Sequence, residues 1–150
     1  MKLNIINANR SHFEFILNSQ ISMALETEAL ELREETVRSG VTAVFEDPSK
    51  GRYLVAELEE KPVGVLLIVT EWSEWRNSTV YWIHSLFIKK EYRGQGIYKR
   101  MYEHIKEEVL NDPRLAGIRL NVDKRNKDAV KVYEALGMSD EHYRMFEWLK

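Results

Sequence analysis

The sequence predicts a mixed α/β domain, with helices flanking a largely antiparallel sheet. Three observations lead there. Hydrophobic spacing switches between period two and period 3.6 several times along the 150 residues, which marks strands alternating with helices. Two β-rich runs within "RYLVAELEEKPVGVLLIVTEW" meet at Glu59 to Pro62, the pattern of an antiparallel hairpin. The segments then follow in the order β-α-α-β-β-β-α-β-α-β, which scatters helices along a sheet. The chain has the length of one domain with a substantial core, residues 1–150, and contains no repeat or linker-like tract.

Each element has its own signal. "KLNIINA" alternates weakly and reads as a first strand. From Ser11 to about Ala29, the residues Phe13, Ile16, Leu17, Met23 and Leu25 suit helical spacing better than strand spacing. A second helix spans Glu34 to Phe45 and stops at the turn "DPSKG". After the hairpin, "STVYWIHSLFI" is rich in β-branched and aromatic residues and forms a further strand. The next helix carries Ile97, Met101, Ile105 and Val109 at i, i+4 spacing. "LAGIRLNV" is another strand. "NKDAVKVYEALG" is a short helix with Asn126 at the N-cap and Gly137 as its stop. "HYRMFEWL" closes the order as a last strand.

Composition removes several function classes. Twenty-two basic against 24 acidic residues leave a net charge of -2, so nothing suggests a protein that coats polyanions, and any anion site must be local. The absence of cysteine excludes disulfides, thiol nucleophiles and thiolate metal sites. "MKLNIINANRSHFEFIL" has no apolar run of signal-peptide length, and no segment approaches a membrane span. A cytoplasmic protein without membrane attachment is the expectation.

Chemistry concentrates in two places. "EYRGQGIYKR" puts Gly94 and Gly96 ahead of a helix, whose first N–H groups are unpaired and attract anions. Glycine lets backbone approach such an anion closely, and Arg93, Lys99 and Arg100 add positive charge. The loop lacks the Gly-Lys-Ser/Thr of a nucleotide P-loop and the full G-x-G-x-x-G of a dinucleotide fold. A surface turn that merely caps a helix reads the same way. About thirty residues on, Ala129, Tyr133 and Leu136 share one face of the helix that Asn126 opens. That face suits a packed amphipathic helix with a buried tyrosine equally well.

Together these two features resemble the GNAT superfamily of acetyl-CoA-dependent N-acetyltransferases. Its phosphate motif, Gln/Arg-x-x-Gly-x-Gly/Ala, is matched by Arg93-Gly94-Gln95-Gly96-Ile97-Tyr98 except at the last position. Its later motif, Asn-x-x-Ala-x-x-x-Tyr-x-x-Leu-Gly-Phe, is matched from Asn126 to Gly137, with Met138 for the Phe. The resemblance implies one GNAT domain, with six to seven strands and about four helices. It also implies direct acetyl transfer, in a ternary complex, from acetyl-CoA to a primary amine of a small molecule or peptide, without a metal.

The same resemblance assigns residues. The pantetheine arm would lie along Leu86, Phe87 and Ile88, with Asn126 opposite. The pyrophosphate would rest on the N–H groups of Gln95, Gly96, Tyr98 and Lys99, within the loop that Arg93 and Gly94 begin. Arg125 and Lys127 would meet the adenosine phosphate. Tyr133 would protonate the departing thiolate, and the Leu86 N–H would steady the oxyanion. For the base, the family's strand-four positions match Trp82 and His84, of which only His84 carries a proton-accepting group; a histidine bonded within the sheet, or one that merely contacts substrate, is the other reading. Tyr81, Glu71 and Glu74 are alternatives.

Acceptor selection in such enzymes falls to the early helices and the loop before strand four. Glu26 and Glu28 would attract an ammonium group, or form a solvated acidic face. Trp75 and Tyr81, with Trp72 and Trp82, would wall a cationic substrate, or close a sheet edge or dimer contact. A homodimer is expected. The competing functions are a GNAT-like module that binds acyl-CoA without catalysis, and a nucleic-acid-binding domain, against which the acidic net charge speaks. Tyr98 departs from the motif, but its backbone N–H still serves a phosphate if the ring turns to solvent, the adenosine end or the neighbouring helix. Tyr98→Gly is then expected to keep CoA binding within about tenfold.

Overall fold

The chain's longest apolar run, Val63 to Val69, lies at the centre of the sheet in a computed structural model that describes residues 2–150. In chain order the elements are β1 (Leu3–Asn7), α1 (Phe13–Glu28), α2 (Glu34–Glu46), β2 (Arg52–Leu58), β3 (Lys61–Ser73), β4 (Ser78–Ile88), α3 (Ile97–Asn111), β5 (Leu115–Leu120) and α4 (Lys127–Ala135). The five strands lie side by side in sequence order. Every neighbouring pair is antiparallel except β4 and β5, which are parallel and connected through α3.

Burial on both faces explains why β3 reads as continuous apolar sequence rather than as clean alternation. Leu66 and Ile68 pack with Ile97, Met101 and Ile105 of α3. Val65 and Leu67 face the other way, toward Ile16 of α1 and Val41 of α2. The β2–β3 turn places Glu59 and Glu60 at φ of 50° and 65°. Left-handed geometry at both positions gives a tight hairpin whose twist matches its strands.

The first helix begins two residues later than its spacing predicts. Asn9 caps a 3-10 turn over Arg10–His12, and α1 starts only at Phe13. The turn is held by buried His12, whose Nδ1 accepts from the Asn9 N–H at 3.0 Å. Its Nε2 lies 2.8 Å from Oε1 of Glu57, which ties the entry of α1 to β2. At the other end Gly137, with φ of 86°, stops α4. There the N–H groups of Gly137 and Met138 donate to the carbonyls of Glu134 and Tyr133, a Schellman arrangement.

One predicted element is absent. "HYRMFEWL" is not a strand, and residues 139–150 form neither helix nor strand. The described sheet therefore has five strands, not six or seven. Alternating aromatic and polar residues give a segment the capacity to pair; a ladder also requires a neighbour. Here Phe146 and Trp148 remain 92% and 88% exposed, and β5 ends the sheet with its outer edge unpaired among the described residues.

Candidate active site

The site grows from an irregularity in β4. Leu67 pairs with Ser85 and Ile68 with Ile83, so His84 has no counterpart on β3. Such an extra residue bends a strand and re-aims its side chain; His84 is exposed there. The ladder between β4 and β5 runs from Thr79 to Ile83 and stops. Leu86, Phe87 and Ile88 follow, half-buried, on a stretch of β4 that no longer pairs with β5.

Directly after this stretch the chain turns into α3. Gly94 and Gly96 adopt φ of 74° and 76°, and Gly96 caps the helix in left-handed geometry. The first helical bond runs from the Arg100 N–H to the Gly96 carbonyl at 3.1 Å. The N–H groups of Ile97, Tyr98 and Lys99 therefore have no earlier turn to donate to. A Cβ on either glycine would meet nothing within 4 Å. The glycines are needed for their dihedrals, and the loop's outer side is open.

Arg93 braces the loop rather than pointing into it. Its Nε donates to the Ile88 carbonyl at 2.9 Å, and Nη2 donates to Glu26 Oε2 at 2.6 Å. The guanidinium also lies over the Phe87 ring, 5.7 Å from the centroid. One side chain thus joins the ends of α1 and β4 to the glycine loop. Lys99 reaches only Glu103, at 3.8 Å. Gln95 Nε2 donates to the Glu91 carbonyl at 3.2 Å.

The Tyr98 ring turns toward the neighbouring helix. It meets Tyr133 of α4 edge-on at 5.7 Å between centroids, and Tyr102 at 6.4 Å. Its hydroxyl is enclosed and has no hydrogen-bond partner among the described residues. Burial, then the neighbouring phenols Tyr133 and Tyr102, drive its pKa far above the ordinary tyrosine value. Burial also raises the Tyr133 pKa, so this phenol holds its proton throughout the neutral range. Asn126 caps α4, its Oδ1 accepting from the Ala129 N–H at 3.2 Å; its amide NH2 is left for another partner. Arg125 is occupied by a forked ion pair with Asp123.

On the sheet face covered by α1 and α2, a cavity of about 320 Å³ opens beside the bulge. His84 and Ser85 of the bulge line it, together with Met23, Leu32, Val41 and Leu67. Of the residues proposed for acceptor binding, His84 alone reaches this cavity. Glu26 is held by Arg93, and Glu28 lies near Arg125. Trp75 is 88% exposed at the β3–β4 turn. Tyr81 packs against the α3 side, under the guanidinium of Arg52.

Sequence reasoning passed over Ser85, Gly40 and the α2 face. One signal was readable: Gly40 interrupts a run of helix-compatible residues, and such a glycine often marks a packing or binding requirement.

A family model described as the acetyltransferase (GNAT) family matches residues 16–138. The chain belongs to the GNAT family. A crystal structure of a possible acetyltransferase from Clostridium difficile 630 is 34% identical, covers 100% of this chain and 99% of its own, and superposes with a TM-score of 0.92. Thialysine N-epsilon-acetyltransferase from Bos taurus is 35% identical over 95 residues. That alignment takes in 58% of this GNAT chain and 55% of the bovine protein, so the chain spans about half the length of the curated relatives it matches. The aminoglycoside N-acetyltransferase AAC(6')-Iy, in complex with CoA, shares the fold at 14% identity, with a TM-score of 0.79 over 99% of this chain and 95% of its own.

Proposed function

We propose that this GNAT chain transfers the acetyl group of acetyl-CoA to a primary amine, by direct transfer in a ternary complex. One observation carries the reading: the stretch Leu86 to Ile88, paired with β3 but open on its β5 side, runs into a helix N-terminus whose first N–H groups have no helical partner, behind glycines with open space beside them. An extended amide-containing arm fits the first part, and a pyrophosphate fits the second. The residues present therefore suit CoA. Leu86, Phe87 and Ile88 would hold the arm through backbone, with Asn126 opposite. Gln95, Gly96, Tyr98 and Lys99 would hold the pyrophosphate through their N–H groups.

When bound, acetyl-CoA supplies an activated thioester carbonyl. The chain must then manage two protons. An alkylamine with a pKa of about 10.4 is free base in roughly one molecule in 2500 at pH 7. Removing its proton costs about 4 to 5 kcal/mol unless a group in the site takes it. His84, re-aimed by its bulge into the cavity, is the base in this reading. Tyr133 keeps its proton because burial disfavours phenolate, and it is the donor for the departing sulfur. Relatives named for thialysine and aminoglycoside acetylation support an amine as acceptor.

The acting unit in this reading is a homodimer. Support comes from the exposed aromatic segment at 142–149 and from the unpaired outer edge of β5, which a second copy would cover. Light scattering should give twice the chain mass, and removing residues 140–150 should give the monomer.

The test of the activity is release of free thiol from acetyl-CoA in the presence of an amine panel. Amine-dependent release supports the transferase. Tight acetyl-CoA binding with no release for any amine would replace it with a non-catalytic acyl-CoA module.

A further inference from the structure

The geometry points to an acceptor of a particular chemical class: a small primary monoamine whose chain is apolar and uncharged, bound in the cavity between α1, α2 and the β4 bulge. This rests on the transferase reading and specifies its second substrate.

The lining of the cavity is mostly apolar, with His84, Ser85, Gln20 and the Tyr53 hydroxyl as its polar groups. His84 and Ser85 stand at the bulge, where β4 turns from its ladder with β5 toward the stretch assigned to the pantetheine arm. The wall also includes Met23, Leu32, Val37 and Val41. No carboxylate lines the cavity. The two acids at the end of α1 lie outside this lining: Glu26 is ion-paired with Arg93, and Glu28 lies near Arg125.

That lining acts on an amine in two ways. Against the apolar wall, the alkyl or aryl part of the amine gains favourable contact. Further along the chain, a second ammonium would lie against this wall with no carboxylate to pair with, and would replace a methyl group that gains from the apolar contact. The same lining therefore admits an alkyl or arylalkyl monoamine and rejects di- and polyamines. The discrimination comes from the missing carboxylates, not from size.

Gly40 offers an independent handle. It lies in the cavity wall on α2, and a Cβ there would meet nothing within 4 Å. A larger side chain at this position therefore starts in open space at the cavity wall.

The experiment compares butylamine with 1,4-diaminobutane, a pair of equal chain length that differs by one ammonium, using thiol release with saturating acetyl-CoA. The expected result is a kcat/KM for butylamine at least about tenfold above that of the diamine, with phenethylamine also accepted. Gly40→Leu should lower kcat/KM for phenethylamine by about tenfold or more. The melting-temperature rise with acetyl-CoA should persist in this variant. A diamine used as well as or better than the monoamine overturns the inference and leaves the transferase standing. So does a Gly40→Leu protein with unchanged amine kinetics. If acetyl-CoA raises no melting temperature, the transferase reading itself fails.

Discussion

Tyr98 occupies the position where the GNAT phosphate motif has glycine or alanine, and its hydroxyl is enclosed without a partner. Removing that oxygen alone, by Tyr98→Phe, keeps the ring edge that meets Tyr133 at 5.7 Å between centroids. An unpaired buried hydroxyl destabilises a fold by about 1–3 kcal/mol in protein mutational data. Taking the low end, because tyrosine hydroxyls rotate and protein relaxes, the variant should be more stable by about 1 kcal/mol. For a chain of this length that raises the melting temperature by roughly 2–4 °C. Calorimetry and urea titration at pH 7 without acetyl-CoA both read the change. If Tyr98→Phe is instead destabilised by 1 kcal/mol or more, the hydroxyl has a partner and the unsatisfied-group reasoning is refuted. Tyr98→Gly is the complementary perturbation. It removes the ring and adds a glycine to the first helical turn, with an expected loss of about 3 kcal/mol or more. Its acetyl-CoA affinity, measured well below the lowered melting temperature, should stay within about tenfold of wild type, because only the backbone N–H serves the phosphate.

Other consequences are simpler. Tyr133→Phe should lower kcat by about 10²- to 10⁴-fold while leaving the acetyl-CoA Kd within a factor of a few. The active form of Tyr133 is the protonated phenol, and burial raises its pKa above 10. Activity should therefore not be lost through this group until the pH passes above the ordinary tyrosine range, as a kcat–pH profile would reveal. Ile105→Ala opens a hole in the fully buried core beneath α3 and should destabilise by about 2–5 kcal/mol in urea unfolding. Asp47 accepts hydrogen bonds from Ser49 and pairs with Lys50, which lowers its carboxyl from 3.8 to about 2. Its contribution to stability should be present above the unfolded value and lost as the pH falls through about 2. An NMR titration of its carboxyl carbon measures the folded value directly.

Local signals read the fold well where one face or two faces of an element are buried by its own chain. The span of β4 was legible to the residue because β-branched and aromatic residues dominate Ser78 to Ile88. The cap at Asn126 and the stop at Gly137 were legible because each depends on one residue's chemistry. The last strand failed for the opposite reason: "HYRMFEWL" has strand-like composition, but strand pairing is a property of two segments. The glycine loop and the Tyr133 helix were visible as motifs. Their meeting through the Tyr98 ring was not, since nothing in a sequence says which way a half-buried ring turns.

The lining of the cavity proposed for the acceptor was the least legible. Glu26, Glu28 and Trp75 suggested a cationic substrate by their types, yet an arginine holds Glu26, Glu28 lies near another, and Trp75 sits on a turn. The cavity instead draws on α1, the α1–α2 loop, α2 and three strands. Single apolar residues supplied from so many elements leave no pattern along the chain.

Acetyl-CoA binding tests the central claim most directly. At a ligand concentration about 100 times Kd, the folded chain should gain about 2.7 kcal/mol. That corresponds to a melting-temperature rise of roughly 5–10 °C for a domain of this size. Such a rise is the expected result; an unchanged melting temperature at millimolar acetyl-CoA would contradict the assignment of the β4 opening and the α3 N-terminus to CoA.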